Sequence, residues 1–576
     1  MDINFHKVGV IAGLVSALIT GNANSALLSV TNNAELSSAN SNAKAGDVIE
    51  ISGGTYSTSI APSNNGADGN PILYRNKTGE AVKIQTFGAY DINIIAKDFI
   101  EIRCTDASNQ KGITFGGSGD GKLGGNIQVI NGVNHFVLDN CAHRFSVSSK
   151  PGLRITGDSA NNKWSQDIVI TNNLFERHGN WNKQTYFDPK DDGNGILING
   201  ADGNYVRRVL IKGNNFTRYG GHTPMLISAG RRIAVINNVF DDDWRQLVDG
   251  TNKSAQIGAS AGSKYFVTAD GGNDKFRGSE GTRNMSFWPR GLTQTKTQRF
   301  LLFEGNITTF LGIPSDSQRD KNANKTSAGN SIYRFNVFYN GKAMCCGTWN
   351  TDKEETHNQY IYNNSIVHFA NSGYQYGATS AALGFSNLNF INNLLHDISY
   401  APTGTSKTTN LTALGFANSS SSGDLVLGIN AQNNMFDSDA KIFIKGASSL
   451  LAPVMDREDE FSNNFKNSVL GSPIFKGGKV EALTNYSDFE LDSASPGIDK
   501  GTHLTEITSA DGTSNRFNVK DVGYFFDGWD IKDQNGQLFS GDKIIIGTNK
   551  TRAMVVSINY ADQELIIDKN ISYSQG

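Results

Sequence analysis

Thr171-Asn172-Asn173-Leu174-Phe175 recurs as Ile236-Asn237-Asn238-Val239-Phe240 and again as Gln432-Asn433-Asn434-Met435-Phe436. The unit is apolar-x-Asn-apolar-Phe or a close variant. Its Asn falls at Asn140, Asn173, Asn214, Asn238, Asn306, Asn336, Asn364, Asn393 and Asn434. From Asn306 the next three follow at spacings of 30, 28 and 29 residues. A fixed period of that size marks a solenoid of stacked coils. The residues before each Asn are β-branched or aromatic, as in Asp167-Ile168-Val169-Ile170 and Arg232-Ile233-Ala234-Val235-Ile236. Such runs form short strands rather than helices.

A stacked Asn has a physical use. Its amide donates and accepts, so Asn side chains of successive coils can bond to one another and to turn backbone. Asn also tolerates the left-handed backbone of a tight turn. The Phe or Leu after it is expected to point inward and stack under its counterpart. The fold expected is all-β, a right-handed parallel β-helix with three short strands per coil. A β-propeller is the alternative, but its longer blades and hairpin turns do not suit a 28–30-residue spacing. Spacings of 41, 24 and 68 elsewhere imply loops of uneven length or further coils.

Across 576 residues the formal net charge is −3, and charged residues make up only 19%. Without a basic excess or a Lys/Arg run, nucleic acid is not an expected partner. The start of the chain reads as a secretory signal. Lys7 precedes an apolar stretch from Val8 to Ile19, too short to span a bilayer, and small residues around Ala23 and Ala26 suit cleavage. Residues 1–26 are therefore expected to be a signal peptide and the protein to be secreted or periplasmic. Four cysteines fit that compartment. Cys104 and Cys141 end similar strands and either pair between adjacent coils or remain buried thiols; Cys345-Cys346 is vicinal. No His lies near them at a spacing suited to zinc.

Asn32 to Lys44 reads as a short capping helix over the first coil. A turn, a strand and another turn follow in Ala45-Gly46-Asp47-Val48-Ile49-Glu50-Ile51-Ser52-Gly53-Gly54-Thr55-Tyr56. This run resembles the cap and first coil of secreted polysaccharide lyases of the pectate-lyase-like β-helix superfamily. It is most similar to the family holding alginate lyases and chondroitinase B. Gly471-Ser472-Pro473-Ile474-Phe475 and the stretch from Tyr486 to Gly501 resemble the closing coil of such proteins. The expected division is a β-helix catalytic domain over 27–501 and a small antiparallel β domain over 502–576. In the latter, strands are expected around Ile544, Val555 and Ile566, and Tyr524, Phe525, Phe526 and Trp529 form a small core.

Chemistry is expected where loops are longest, at strand edges of the middle coils. The richest stretch is 176–250. It holds Asp191 and Asp192, then Arg218, Tyr219 and His222, then Asp241, Asp242, Asp243, Trp244, Arg245 and Asp249. Trp288, Arg290 and Arg319 extend the same path. His222 and Arg245 are 23 residues apart and Asn214 and Asn238 are 24 apart, so the pair should sit one coil apart. The resemblance implies β-elimination on a uronic-acid-containing polysaccharide, with that acidic polymer as the partner of a monomeric enzyme. Such a reaction needs a neutraliser for the substrate carboxylate, a base for the C5 proton and an acid for the leaving oxygen. His222, Arg245 and Arg290 are candidates for these roles, with Tyr219 as the acid. Trp244, Trp288, Arg218 and Arg319 are candidates for substrate binding. In such lyases calcium, held by oxygen ligands, often serves as the neutraliser; Asp191 and Asp192, or the run Asp241–Asp243, are its candidates.

Three other functions compete. A β-helix glycoside hydrolase would use a pair of carboxylates among Asp192, Asp243, Asp249 and Glu304. An epimerase is suggested by Tyr186-Phe187-Asp188-Pro189, which resembles part of an alginate-epimerase motif, with Lys190 in place of its His. A binding solenoid would show regular coils without the long insertions seen at 176–195 and 250–283.

Overall fold

A computed structural model describes residues 25–576. The segments 87–89, 106–111, 117–125, 147–151, 179–193, 199–204, 218–222, 228–229, 242–287, 290–299, 310–330, 340–342, 346–357, 370–371, 379–386, 399–411, 419–427, 445–448, 450, 481–482, 484 and 548–549 are excepted. The expected signal segment lies outside the described residues up to position 24. No helix among the described residues is long and apolar enough to cross a membrane.

Almost every strand is short and parallel to its neighbours. Sheet A stacks 14 strands, running from Leu27–Val30 through Ser165–Thr171, Val206–Lys212 and Arg231–Ile236 to Phe465–Lys466. Sheet B stacks 13, from Gly54–Tyr56 to Val469–Leu470. Sheet C has a six-stranded part, Tyr90–Ile95 to Trp288–Pro289, and a five-stranded part that begins at Ala343–Cys345. Each full coil visits C, A and B in turn. This is the expected right-handed parallel β-helix, three strands per coil.

The recurrent Asn makes the corner between sheets A and B. Asn173 Nδ2 donates to Asn214 Oδ1 at 3.0 Å, Asn214 to Asn238 at 3.0 Å and Asn238 to Asn306 at 3.0 Å. The chain of amides continues to Asn336, Asn364, Asn393 and Asn434 at 2.9–3.1 Å. Each Oδ1 also accepts a backbone N–H of the coil before, as Asn214 Oδ1 does from Asn173 at 2.9 Å. These side chains are buried and satisfied, which a buried amide must be to avoid a large desolvation cost. The residue ahead of each is left-handed, for example Asn172 at φ 57° and Asn363 at φ 56°. Gly305, at φ 63°, fills that position where an added Cβ would lie 2.2 Å from Asn237 Oδ1.

Asn140 departs from expectation. It is the left-handed turn residue (φ 58°), and Cys141 occupies the ladder position, its N–H donating to Asn173 Oδ1 at 2.9 Å. Cys141 is bonded to Cys104 of the preceding coil, so a disulfide takes over where the amide ladder stops. A second correction concerns side-chain direction. The Phe two places after the ladder Asn points inward, and the residue between them points outward, because a strand alternates its faces. Phe175, Phe216 and Phe240 stack at 4.9 and 4.7 Å between ring centres. Phe303 from sheet A continues the column where Thr308 holds the inward place of sheet B. Each fully buried Phe contributes about 2–3 kcal/mol of hydrophobic stabilisation.

The open end is capped as expected. Helix α1 (Asn33–Asn42) begins with Asn32 accepting Glu35 N–H at 3.0 Å and buries Leu36 and Ala39 over the first coil. The other end is closed differently from the expectation. The antiparallel strand Leu451–Pro453 and helix α2 (Val454–Glu460) close it, and Arg457 is fully buried there. The segment expected to be the closing coil turns back along the outside of sheet B instead. Phe475, Leu483 and Phe489 cover the outward Val337, Val367, Leu394 and Met435.

The antiparallel strands expected near the C-terminus are present as Lys543–Ile546, Thr551–Asn559 and Glu564–Tyr573, joined by Gly512–Asn518. Tyr524, Phe525, Phe526 and Trp529 are buried, as expected of core residues, but the core is shared. They belong to one apolar cluster with Val137, Val169, Leu210, Ala234, Leu302 and Tyr360 on the outer face of sheet A.

Candidate functional site on sheet C

A groove for an extended polymer requires an outer face that no other part of the chain occupies. Sheet A does not provide it. Beyond the shared apolar cluster, Arg334 is enclosed between Glu304 and Asp542, donating to Glu304 Oε2 through Nε at 2.7 Å and to Asp542 Oδ2 through Nη1 at 2.6 Å. Tyr360 Oη donates to Asp521 at 2.8 Å and Tyr362 Oη to the carbonyl of Tyr524 at 2.7 Å; burial pushes both phenols upward. Glu304 is thus committed to Arg334 beneath the C-terminal sheet and is removed as a hydrolytic carboxylate. Sheet B is covered over its later coils. On its earlier coils Arg144 and Glu176, register partners 3.1 Å apart, offset each other's charge.

Sheet C differs. Its inward residues are apolar: Ile92 and Ile94, Ile127 and Val129, Leu153 and Ile155, Ile196 and Ile198. The alternate row runs outward through Asn93, Gln128, Arg154 and Leu197 in register. Gln128 donates to Asn93. Arg154 is half-buried, and its Nε has no hydrogen-bond partner among the described residues. A buried donor of this kind costs free energy unless something completes it. The register row continues to Leu226 and Trp288. Neighbouring strands lie about 4.8 Å apart, so the row from Arg154 to Trp288 spans about 14 Å.

His222, Arg245, Arg290, Tyr219, Asp249, Trp244, Arg218, Arg319, Asp191 and Asp192 lie outside the described residues. Trp288 is described only as backbone, in the strand Trp288–Pro289. The chain order still places most of their segments. Residues 179–193, 218–222 and 242–287 each leave a strand of sheet B and enter a strand of sheet C. His222 directly precedes Thr223, the first residue of Thr223–Ile227, two rungs along from the Arg154 strand. Arg290 directly follows Pro289. Among the described residues no group of three or more His, Cys, Asp or Glu side chains is placed to hold a metal ion.

Sequence reasoning passed over Arg154. Its signal was the alternation Leu153-Arg154-Ile155, a single charge between two inward apolar residues. Also unforeseen were two pairs on sheet B, His368 with Asp397 and His396 with Asp437, each at 2.5 Å. His368 is buried against Tyr339, and His396 packs on Phe475 under the returning segment. Their positions give them a structural role.

No protein-family model and no curated protein matches the chain. Solved structures overlap it in part. An alginate lyase from Paenibacillus sp. str. FPU-7 is 13% identical over 62% of this chain and 94% of that one, at a TM-score of 0.32. Pectate lyase Pel9A is 14% identical over 85% and 95%, at 0.30. The GH136 lacto-N-biosidase from Eubacterium ramulus is 10% identical over 64% and 63%, at 0.30. Overlaps this loose carry no argument about chemistry. The strand order itself is that of a parallel β-helix.

Proposed function

We propose that the protein is a polysaccharide lyase, cleaving a uronic-acid-containing polymer by β-elimination in a groove along sheet C. The observation that carries this reading is Arg154, a guanidinium on the outward row of sheet C whose Nε has no hydrogen-bond partner among the described residues. It is suited to a substrate carboxylate. Arg245 and Arg290 are proposed to share the neutralisation around the reacting sugar, which acidifies its C5 proton. His222 then takes that proton as the C5–H bond breaks. The electron pair forms the C4=C5 double bond, the C4–O bond breaks, and Tyr219 gives a proton to the leaving oxygen. Trp244, Trp288, Arg218 and Arg319 are proposed to hold neighbouring sugars. Asp191 and Asp192 remain the proposed calcium ligands, and loss of activity on chelation with recovery on calcium is the check. Asp249 is retained as the carboxylate of the hydrolytic alternative.

The test is ultraviolet absorbance of the unsaturated product, with alginate, polygalacturonate and other acidic polysaccharides as substrates. A rise is expected with at least one of them. Arg154→Gln is expected to weaken KM roughly tenfold, the scale of one charge-assisted hydrogen bond, with an unchanged melting temperature. New reducing ends without absorbance would replace the lyase reading with a hydrolase.

A further inference from the structure

Arg154 is a lone charge on its face of the solenoid. In the register row Asn93, Gln128, Arg154 and Leu197 it is the only charged side chain. Its neighbours toward the cap helix are the two amides, and its neighbour on the other side is the half-buried Leu197. Ile95 and Ile130 are register partners two places beyond Asn93 and Gln128, so they share the same face. They add apolar surface beside the amides, and Ile95 is exposed. Gln128 is buried and donates through Nε2 to Asn93 Oδ1. That bond fixes the Asn93 amide and leaves its Nδ2 hydrogens without an acceptor among the described residues.

These groups suit neutral sugars. An amide donor bonds a hydroxyl, and a branched aliphatic side chain covers the C–H face of a ring. They do not suit a chain with a carboxylate on every sugar. At about 4.8 Å per strand, the row from Asn93 to Leu197 spans about 14 Å. A homopolyuronate laid along it brings several carboxylates against one guanidinium. Those that face Leu197, Ile95 or Ile130 lose water and gain no cation, which costs free energy. The chain as a whole does not make up the deficit, since its formal net charge is −3. A single uronate between neutral sugars matches the row, with its carboxylate on Arg154 in a charge-assisted bond.

We propose that the substrate is an acidic heteropolysaccharide whose uronates are separated by neutral sugars, and that Asn93 and Leu197 select it against homopolyuronates. It rests on the proposed function in taking sheet C as the groove. Asn93 bonds a hydroxyl of the neutral sugar on the cap side of the uronate, and Leu197 packs on the sugar at the other side. Gln128 is a positioning residue behind Asn93. Discrimination comes from the cost of carboxylates left without a partner, not from an added attraction.

The experiment is affinity electrophoresis of the full chain in native gels. The gels contain gellan, whose uronates are separated by neutral sugars, or the homopolyuronates alginate and polygalacturonate, or uncharged dextran. A His222→Ala background keeps the matrix intact, and product absorbance is measured in parallel with the unaltered protein. Gellan is expected to bind roughly tenfold more tightly than either homopolyuronate, and dextran not to retard the protein. Arg154→Gln should weaken the affinity for gellan roughly tenfold. Asn93→Lys with Leu197→Lys supplies the missing charges. It is expected to raise the affinity for polygalacturonate roughly tenfold and to lower that for gellan. Equal or tighter binding of a homopolyuronate by the unaltered row would overturn the proposal. So would no retardation in gellan, or a double variant that keeps its melting temperature and binds polygalacturonate no better. Faster product formation from alginate or polygalacturonate than from gellan would overturn it and leave the lyase reading standing. A preference for gellan in a protein yielding no unsaturated product would sink the lyase reading and leave the substrate class standing.

Discussion

Two corners of the same coil differ in almost every respect. Between sheets A and B the chain turns in two residues, as at Asn172 and Asn173, and the same amide recurs from Asn173 to Asn434. Between sheets B and C it spends segments such as 179–193 and 242–287 before resuming the coil. The first corner is buried, and each polar atom there has to find its partner one coil away, so little variation survives. The second is free to vary because a coil needs only that the chain return to register. Stability is concentrated at the first corner and chemistry is proposed at the second.

Substitutions at the two corners should therefore separate activity from stability. His222→Ala is expected to lower kcat about 10²–10⁴-fold, the contribution of a positioned general base, with an unchanged melting temperature. Full activity in that variant would remove His222 from the site. Replacing both Cys104 and Cys141 by Ser should cost about 2–5 kcal/mol in denaturant unfolding, with product formation per folded molecule preserved. Asn238→Ala breaks bonds to Asn214, Ile211 and Asn306. It should cost about 1–3 kcal/mol and leave kcat/KM unchanged, whereas a large loss of activity would mean that the two corners are coupled.

A finer test lies beside the disulfide. Glu101 is held below the usual carboxylate range: burial pushes it up, but hydrogen bonds from His135 and Arg103 outweigh that. A depressed carboxyl contributes stability above its unfolded pKa of about 4.3 and loses it as pH falls through the lower folded value. The stability gap between the wild type and Glu101→Gln should be about 1–2 kcal/mol at pH 7 and close progressively below about pH 4. A gap independent of pH would show that the carboxylate's charge is not what matters there.

The solenoid, its coil period, the cap helix and the C-terminal strands were legible because each depends on local pattern: alternation, a left-handed turn residue, an N-cap. The Asn140 and Cys141 exchange was not, since a one-residue offset within the turn looks the same in sequence. Arg154 was legible only in part. Its outward direction follows from Leu153 and Ile155, but its importance depends on which faces other segments cover.

The amino-acid sequence by itself determined that this chain winds into parallel coils, because the Asn unit and its flanking strands can satisfy their polar groups only by stacking on copies of themselves. Tertiary structure alone decided which outer faces are covered. The apolar residues on the outside of sheet A, such as Val137, Val169 and Leu210, read like any buried strand. Only the return of residues 502–576 onto them, and of 471–501 onto sheet B, shows which faces are covered among the described residues. The reason is physical. A local pattern specifies which side chains must leave water, but not which distant segment will cover them.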